Sequence, residues 1–114
     1  MLHKINEIRE DAGKPPLVED SRLDTSAKEK AKDLVTNNYW SHDRPDGEKF
    51  SKVIFKHIDA NAVGENLAKC YDDPIQAWVD SPSHYKNIIG NWKYWGYGEF
   101  SSSDCKYIVN HFAR

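Results

Sequence analysis

The chain has 114 residues, of which 39% are hydrophobic and 30% are charged, and its formal net charge at pH 7 is −2. This length and composition are typical of one globular domain, which we place at residues 1–114. The negative net charge argues against nucleic-acid binding, which depends on basic surfaces that contact phosphate. No apolar run is long enough to cross a bilayer, so we expect no transmembrane segment.

The first half of the chain predicts three helices. Apolar residues at helical spacing predict a helix at 2–12, which a glycine and two prolines end. Ser21, with Asp24 three residues later, is an acceptable capping box and begins a second helix that ends near Asn37. A loop containing a Pro-Asp-Gly turn follows, and a short helix is expected at 50–58.

The second half predicts strands and two short helices. Residues 62–70 favour a buried strand, although Gly-Glu-Asn interrupts its apolar character. Asp-Pro at 73–74 and Ser-Pro at 81–82 are typical helix starts. Segments 94–100 and 105–112 alternate around a polar turn and predict an antiparallel hairpin. We therefore expect an α+β domain with helices packed on a small antiparallel sheet.

Several short blocks carry polar residue types that can do chemistry, and they occur in the order known from one protein family. They are Ser41-His42 with Pro45-Asp46-Gly47, then Gly64-Glu65-Asn66-Leu67-Ala68, then Trp78 with Ser81-Pro82-Ser83-His84-Tyr85. With Asn6-Glu7-Ile8-Arg9 near the start and Gly96-Tyr97-Gly98 and 107–112 near the end, the chain resembles the CAP superfamily of cysteine-rich secretory, antigen 5 and pathogenesis-related 1 proteins. The resemblance covers nearly the whole chain and is strongest to the short bacterial branch. It implies a three-layer α-β-α sandwich with an open cleft.

The resemblance also implies a candidate site in that cleft. Two histidines and two acidic residues line it in the family, and several members hold a divalent metal there. His42, His84 and Glu65 match three of these positions, while Ser81 stands where the second acid is expected. We therefore expect a cleft formed by these four residues and Asn66, with weak binding of Zn²⁺ or another divalent metal by His42, Glu65 and His84.

Each of the three proposed ligands also has a structural interpretation, which the sequence leaves open. Glu65 could satisfy buried backbone groups, His42 could anchor its loop, and His84 could cap or pack a helix. His111 shares strand parity with Tyr107 and is interpreted as a partly buried structural histidine.

Cys70 and Cys105 lie 35 positions apart and do not have the CxxC spacing of redox or zinc sites. Two separate buried thiols and one disulfide are both compatible with this spacing. Both cysteines flank predicted strands, and the resemblance implies an oxidising compartment, so we predict a disulfide with a Cα–Cα distance under ~7 Å.

The resemblance favours a binding module of a secreted or cell-surface bacterial protein over an enzyme, and we assign no catalytic residue. The chain itself starts without a signal-peptide leader. We expect a monomer that binds a small ligand, a peptide or a cell-wall component. A metal-assisted hydrolase acting on peptide or cell-wall material is one alternative, which the missing second acid disfavours. A lipid or sterol carrier is another, but no long apolar helix pair is predicted to form a tunnel.

Overall fold

The computed structural model describes residues 1–114, which form five helices and four strands. In chain order these are α1 (Leu2–Asp11), β1 (Val18–Glu19), α2 (Ser21–Thr36), α3 (Phe50–Phe55), β2 (Val63–Lys69), α4 (Pro74–Val79), α5 (Pro82–Ile88), β3 (Tyr94–Ser101) and β4 (Lys106–Ala113). All predicted helices and strands are present, with ends shifted by up to three residues. The sequence did not indicate β1, because two residues are too few to show strand alternation.

The strands form one sheet in the order β1-β3-β4-β2. β4 pairs antiparallel with β3 and with β2, which confirms the predicted hairpin. β1 pairs parallel with β3 through Val18 and Glu19, so the sheet is mixed and the expectation of a purely antiparallel sheet is corrected. The parallel pair arises because the chain enters β1 and β3 from the same end of the sheet, after α1 and α5 respectively.

One further local prediction is corrected and one is confirmed. The N-cap of α2 is Asp20, whose carboxylate accepts a hydrogen bond from the Arg22 amide, whereas Ser21 is already the first helical residue. The strand predicted at 62–70 is confirmed as β2, and Glu65 and Asn66, which interrupt its apolar character, are both buried within it. Buried polar residues are stable in a strand only when they find partners, and those partners come from distant parts of the chain.

Helix α2 covers one face of the sheet and packs closely on β3. A Cβ added at Gly98 would lie 2.1 Å from the backbone nitrogen of Lys28, so only glycine permits this approach. Helix α3 lies beside α2 on the same side. The main apolar cluster on this face consists of Ala27, Ala31, Leu34, Leu67 and Val109.

Helices α1, α4 and α5 cover the opposite face, where the larger apolar cluster lies. It is built from Ile5, Leu17, Ala68, Ile75, Trp78, Ile88, Trp95, Ile108 and Phe112. The layers are therefore helix, sheet and helix, as predicted. None of the five helices combines the length and apolarity needed to cross a bilayer.

The end of β2 is fastened to the β3–β4 hairpin by a disulfide between Cys70 and Cys105, whose Cα atoms are 5.0 Å apart. The predicted disulfide is confirmed. Because β2 is an edge strand, side chains from both helical layers can meet beside it, and the candidate site lies there.

Candidate functional site

A cavity of about 650 Å³ lies beside the β2 edge and is reached by histidines from both helical layers. His42 comes from the loop after α2, and His84 comes from α5. The lining residues are Trp40, Ser41, His42, Leu67, Ala68, Lys69, Cys70, Tyr71 and His84. Two of the five residues predicted for the cleft therefore line this cavity.

The other three predicted cleft residues do not line the cavity but hold those that do. Glu65 and Asn66 are buried beneath it, with 3% and 0% of their surface exposed. The Ser81 hydroxyl lies 2.8 Å from Nδ1 of His84. The site is thus a pair of histidines supported by three polar residues.

His42 is held by the buried carboxylate of Glu65. Its Nδ1 lies 2.9 Å from Oε1 of Glu65, and Nε2 of the buried His111 lies 2.8 Å from Oε2. An ionised carboxylate only accepts hydrogen bonds, so both imidazoles must donate to it. His42 therefore carries its proton on Nδ1 when neutral, which leaves the Nε2 lone pair free.

His111 links the Glu65 carboxylate to helix α2 by a second hydrogen bond. Its Nδ1 lies 2.7 Å from the hydroxyl of Ser26, which is fully buried. Because Nε2 donates to Glu65, a neutral His111 has an unprotonated Nδ1, to which the Ser26 hydroxyl can donate in place of the Leu23 carbonyl, its other acceptor at 3.1 Å. A series of hydrogen bonds thus runs from the interior to the cavity, through Ser26, His111, Glu65 and His42.

Glu65 stays ionised despite its burial. Burial alone would raise its pKa, but hydrogen bonds from His111 and His42, with the nearby charge of Lys30, outweigh that effect and lower the pKa. The carboxylate is therefore a fixed acceptor near neutral pH.

The loop that carries His42 is anchored to α2 by charged groups. The ammonium group of the buried Lys30 donates to the backbone carbonyl of His42 and to the Tyr39 hydroxyl. Burial lowers the pKa of Lys30, an effect opposed by Glu65 and Asp33. Arg44 adds a second anchor through Nε, 2.8 Å from Asp33 Oδ2. These contacts set the position of His42 before any ligand arrives.

His84 is held by groups that leave its proton position open. A hydroxyl can donate or accept, so Ser81 is compatible with a proton on either ring nitrogen of His84. Burial lowers the pKa of His84, and the nearby charge of His42 lowers it further. The Asn66 side chain donates to the His84 carbonyl at 3.1 Å and is itself held by Asn87 at 3.0 Å, which ties α5 to β2.

The predicted metal ligands fit a metal only in part. Both carboxylate oxygens of Glu65 are occupied by imidazoles, and the structure contains no group of three His, Cys, Asp or Glu side chains placed to hold a metal ion. His42 and His84 each retain an Nε2 without a protein hydrogen bond. The donor set that remains is two imidazole nitrogens.

Sequence reasoning missed three supporting residues: Ser26, Lys30 and His111. The sequence predicts His111 to be a partly buried structural histidine with no role in the site, whereas the structure buries it fully and places it against Glu65. Its contact with Glu65 follows from the β2–β4 register, in which the two residues are direct partners. No signal in the sequence specifies that register. Lys30 was indistinguishable from the exposed lysines around it.

The chain is similar in sequence to proteins of a known family. The sequence model described as "CAP: Cysteine-rich secretory protein family" matches residues 2–112. The chain is 34% identical over 102 residues to the uncharacterised protein YkwD of Bacillus subtilis, covering 85% of this chain and 40% of that protein.

Two solved bacterial structures are similar over 99% of the chain. One is an outer surface protein of Borrelia burgdorferi, with a TM-score of 0.89, 26% identity and 88% of that chain covered. The other is an extracellular protein of Bacillus anthracis containing an SCP domain, with a TM-score of 0.86, 28% identity and 38% covered. The chain thus spans less than half the length of both Bacillus proteins.

Proposed function

This chain belongs to the cysteine-rich secretory protein (CAP) family, and we propose that it is the ligand-binding domain of a secreted or cell-surface protein. Two of the similar structures are an outer surface protein and an extracellular protein, which supports the proposed location. The disulfide between Cys70 and Cys105 also fits an oxidising compartment.

The cleft histidines carry the proposal. His42 and His84 come from opposite helical layers and line one cavity of about 650 Å³, a size typical of small-ligand sites. Both are held from behind through Nδ1, so Nε2 of each is available to a ligand. Fixing the orientation of a side chain before binding reduces the entropy that binding costs.

We propose that the same two nitrogens bind a divalent metal. Neutral imidazole is a good ligand for Zn²⁺, and a carboxylate that accepts from the other ring nitrogen raises its basicity. Glu65 provides this support to His42 and is not itself a ligand. With two protein ligands instead of three, binding is expected to be weak, with water completing the coordination.

The test is a calorimetric titration of Zn²⁺ into the untagged wild-type protein and into His84→Ala. We expect the substitution to weaken binding at least about tenfold, because one of two nitrogen ligands is lost. His57→Ala is the matched control. His57 also contacts a carboxylate, Glu29, at 2.7 Å, but it does not line the cavity.

The control variant should bind Zn²⁺ as the wild type does. Equal affinity in wild type and His84→Ala would contradict the metal role and leave the cavity as a site for an organic ligand alone.

A further inference from the structure

We propose that Trp40 and Tyr71 form a sugar-binding wall of this cavity, and that its organic ligand is a neutral oligosaccharide. The inference deepens the proposed function, since it concerns the same cavity, but it does not depend on metal binding. It rests on four observations: two exposed aromatic rings, the contacts that hold one of them, the charge of the lining, and the protection of the adjacent strand edge.

Large aromatic side chains are exposed at the cavity. Trp40 is 42% exposed and Tyr71 is 57% exposed, and both line it. Two exposed aromatic rings that line one cavity offer an apolar surface on which a ligand can stack. The C–H faces of a pyranose ring are flat and apolar, so they can stack on an indole or phenol ring while the hydroxyls remain free for hydrogen bonds.

Trp40 is held in place although it is exposed. Tyr107 meets it edge-on with ring centroids 5.7 Å apart, and the Lys69 ammonium lies 4.9 Å from its centroid. Tyr71 follows Cys70, whose disulfide fastens this end of β2 to the hairpin. The Trp40 ring therefore needs little ordering on binding, and the backbone that carries Tyr71 is constrained beside it.

The lining favours a neutral ligand that is rich in hydroxyl groups. Lys69 is the one formally charged residue among the lining residues, because the Glu65 carboxylate is buried behind His42. A polyanionic ligand would find only one cationic side chain to pair with, and a polycationic ligand would find no exposed carboxylate, so neither is favoured. The Nε2 of His42 can accept a hydrogen bond from a sugar hydroxyl, that of His84 can accept or donate one, and the Lys69 ammonium can donate.

A peptide is disfavoured because the neighbouring strand edge is blocked. Extended peptides commonly bind by adding a strand to an exposed edge. On the outer edge of β2, the Leu67 carbonyl accepts from Trp78 Nε1 at 2.8 Å, and the Glu65 carbonyl accepts from Asn87 at 3.1 Å. Those acceptors are not available to a peptide.

The experiment titrates cellotetraose and the tetramer of N-acetylglucosamine into the wild-type chain, followed by calorimetry and NMR. Tetraalanine is the peptide probe. At least one sugar should bind with a Kd in the millimolar range or tighter, and tetraalanine should not bind. Trp40→Ala should weaken sugar binding about tenfold or more, and Trp40→Phe, which keeps a ring, should weaken it less.

Phe55→Ala is the matched control. Phe55 is 46% exposed, similar to Trp40, but it lies on α3 beside a separate cavity between α2 and α3. It should leave sugar binding unchanged. A Zn²⁺ titration of Trp40→Ala separates the two proposals, because metal binding should be retained when sugar binding is lost.

Four results would overturn the sugar proposal. The first is that neither sugar binds, and the second is that tetraalanine binds and the sugars do not. The third is that Trp40→Ala binds sugar as tightly as the wild type does. The fourth is that Phe55→Ala loses as much sugar affinity as Trp40→Ala. Sugar binding without Zn²⁺ binding would support this inference and contradict the metal role.

Discussion

The loop side and the helix side of the cavity hold their histidines in different ways. On the loop side, His42 donates to the buried carboxylate of Glu65, which a second imidazole also contacts. On the helix side, His84 contacts a serine hydroxyl, with no carboxylate behind it. A carboxylate permits one proton position on a neutral imidazole, whereas a hydroxyl permits two.

The two histidines can therefore make different contacts with a ligand. His42 presents a fixed lone pair, so it is suited to a cation or to a hydrogen-bond donor. His84 can present a lone pair or an N–H group, so it can adjust to the ligand. One fixed and one adjustable imidazole suit both of the ligands proposed above, a metal ion and sugar hydroxyls.

The largest expected effect is on the fixed side. Glu65→Ala leaves His111 and His42 without their acceptor and opens a space in the buried network. Leaving a buried hydrogen-bond donor without its acceptor typically costs about 1–3 kcal/mol, so we expect the free energy of unfolding to fall by at least that amount. Urea denaturation followed by circular dichroism measures it.

Glu29→Ala is the control for this substitution. Glu29 also contacts a histidine and a lysine, but its side chain is 39% exposed. Exposed ion pairs contribute about 0–1 kcal/mol, so the control should change little. Similar losses in the two variants would mean that burial of the Glu65 network is not what stabilises the fold.

The two sides also differ in how far the sequence predicted them. The motif order and the resemblance identified His42, Glu65 and His84, although they lie far apart in the chain. The resemblance predicts Glu65 as a metal ligand, but its contact with His111 could not be predicted, because the two residues lie 46 positions apart and are brought close only by strand register. Local periodicity cannot encode such a contact.

The same reasoning explains which parts of the fold were predictable. Helices and the β3–β4 hairpin follow from periodicity and turn residues, which are local properties. The disulfide followed from the resemblance and from the position of each cysteine beside a strand. The parallel pairing of β1 with β3 joins residues more than seventy positions apart, such as Val18 and Tyr94, and has no local signal.

A smaller effect is expected when the helix side is made to resemble the loop side. Ser81→Glu places a carboxylate where the resemblance leads us to expect one, near His84. A second carboxylate adds negative charge and supports the imidazole as a ligand, and such supporting groups typically change metal affinity by about 10–100-fold. We expect tighter Zn²⁺ binding, by about tenfold, in a calorimetric titration.

Ser83→Glu provides the matched control. It adds the same charge two residues along the chain at an exposed position, and it should change Zn²⁺ affinity little. If both variants tightened binding equally, the gain would come from net charge and not from contact with His84.

The smallest expected effect is a shift in the pH at which Zn²⁺ binding is lost. Burial and the nearby charge of His42 place the pKa of His84 below its ordinary value of 6.5. A histidine with a lowered pKa stays neutral, and able to coordinate, to a lower pH than a free imidazole. The wild-type protein should therefore still bind Zn²⁺ at pH 6.5 and lose binding as the pH falls further.

The stability of the folded protein should also decrease as the pH falls. Because the unfolded chain takes up a proton on His84 at a higher pH than the folded chain does, the free energy of unfolding falls as the pH drops below the ordinary histidine value. The contribution of His84 to this fall ends once the pH is below the pKa of His84 in the folded protein, and His84→Ala should lack it.

In Ser81→Glu the added carboxylate favours protonated imidazole and raises the pKa of His84. Loss of Zn²⁺ binding in that variant should therefore begin at a higher pH than in the wild type, even though its affinity at neutral pH is greater. Identical pH profiles for the two proteins, measured by calorimetric titration at a series of pH values, would mean that residue 81 does not control the protonation of His84, and the proposed difference between the two sides of the cavity would be lost.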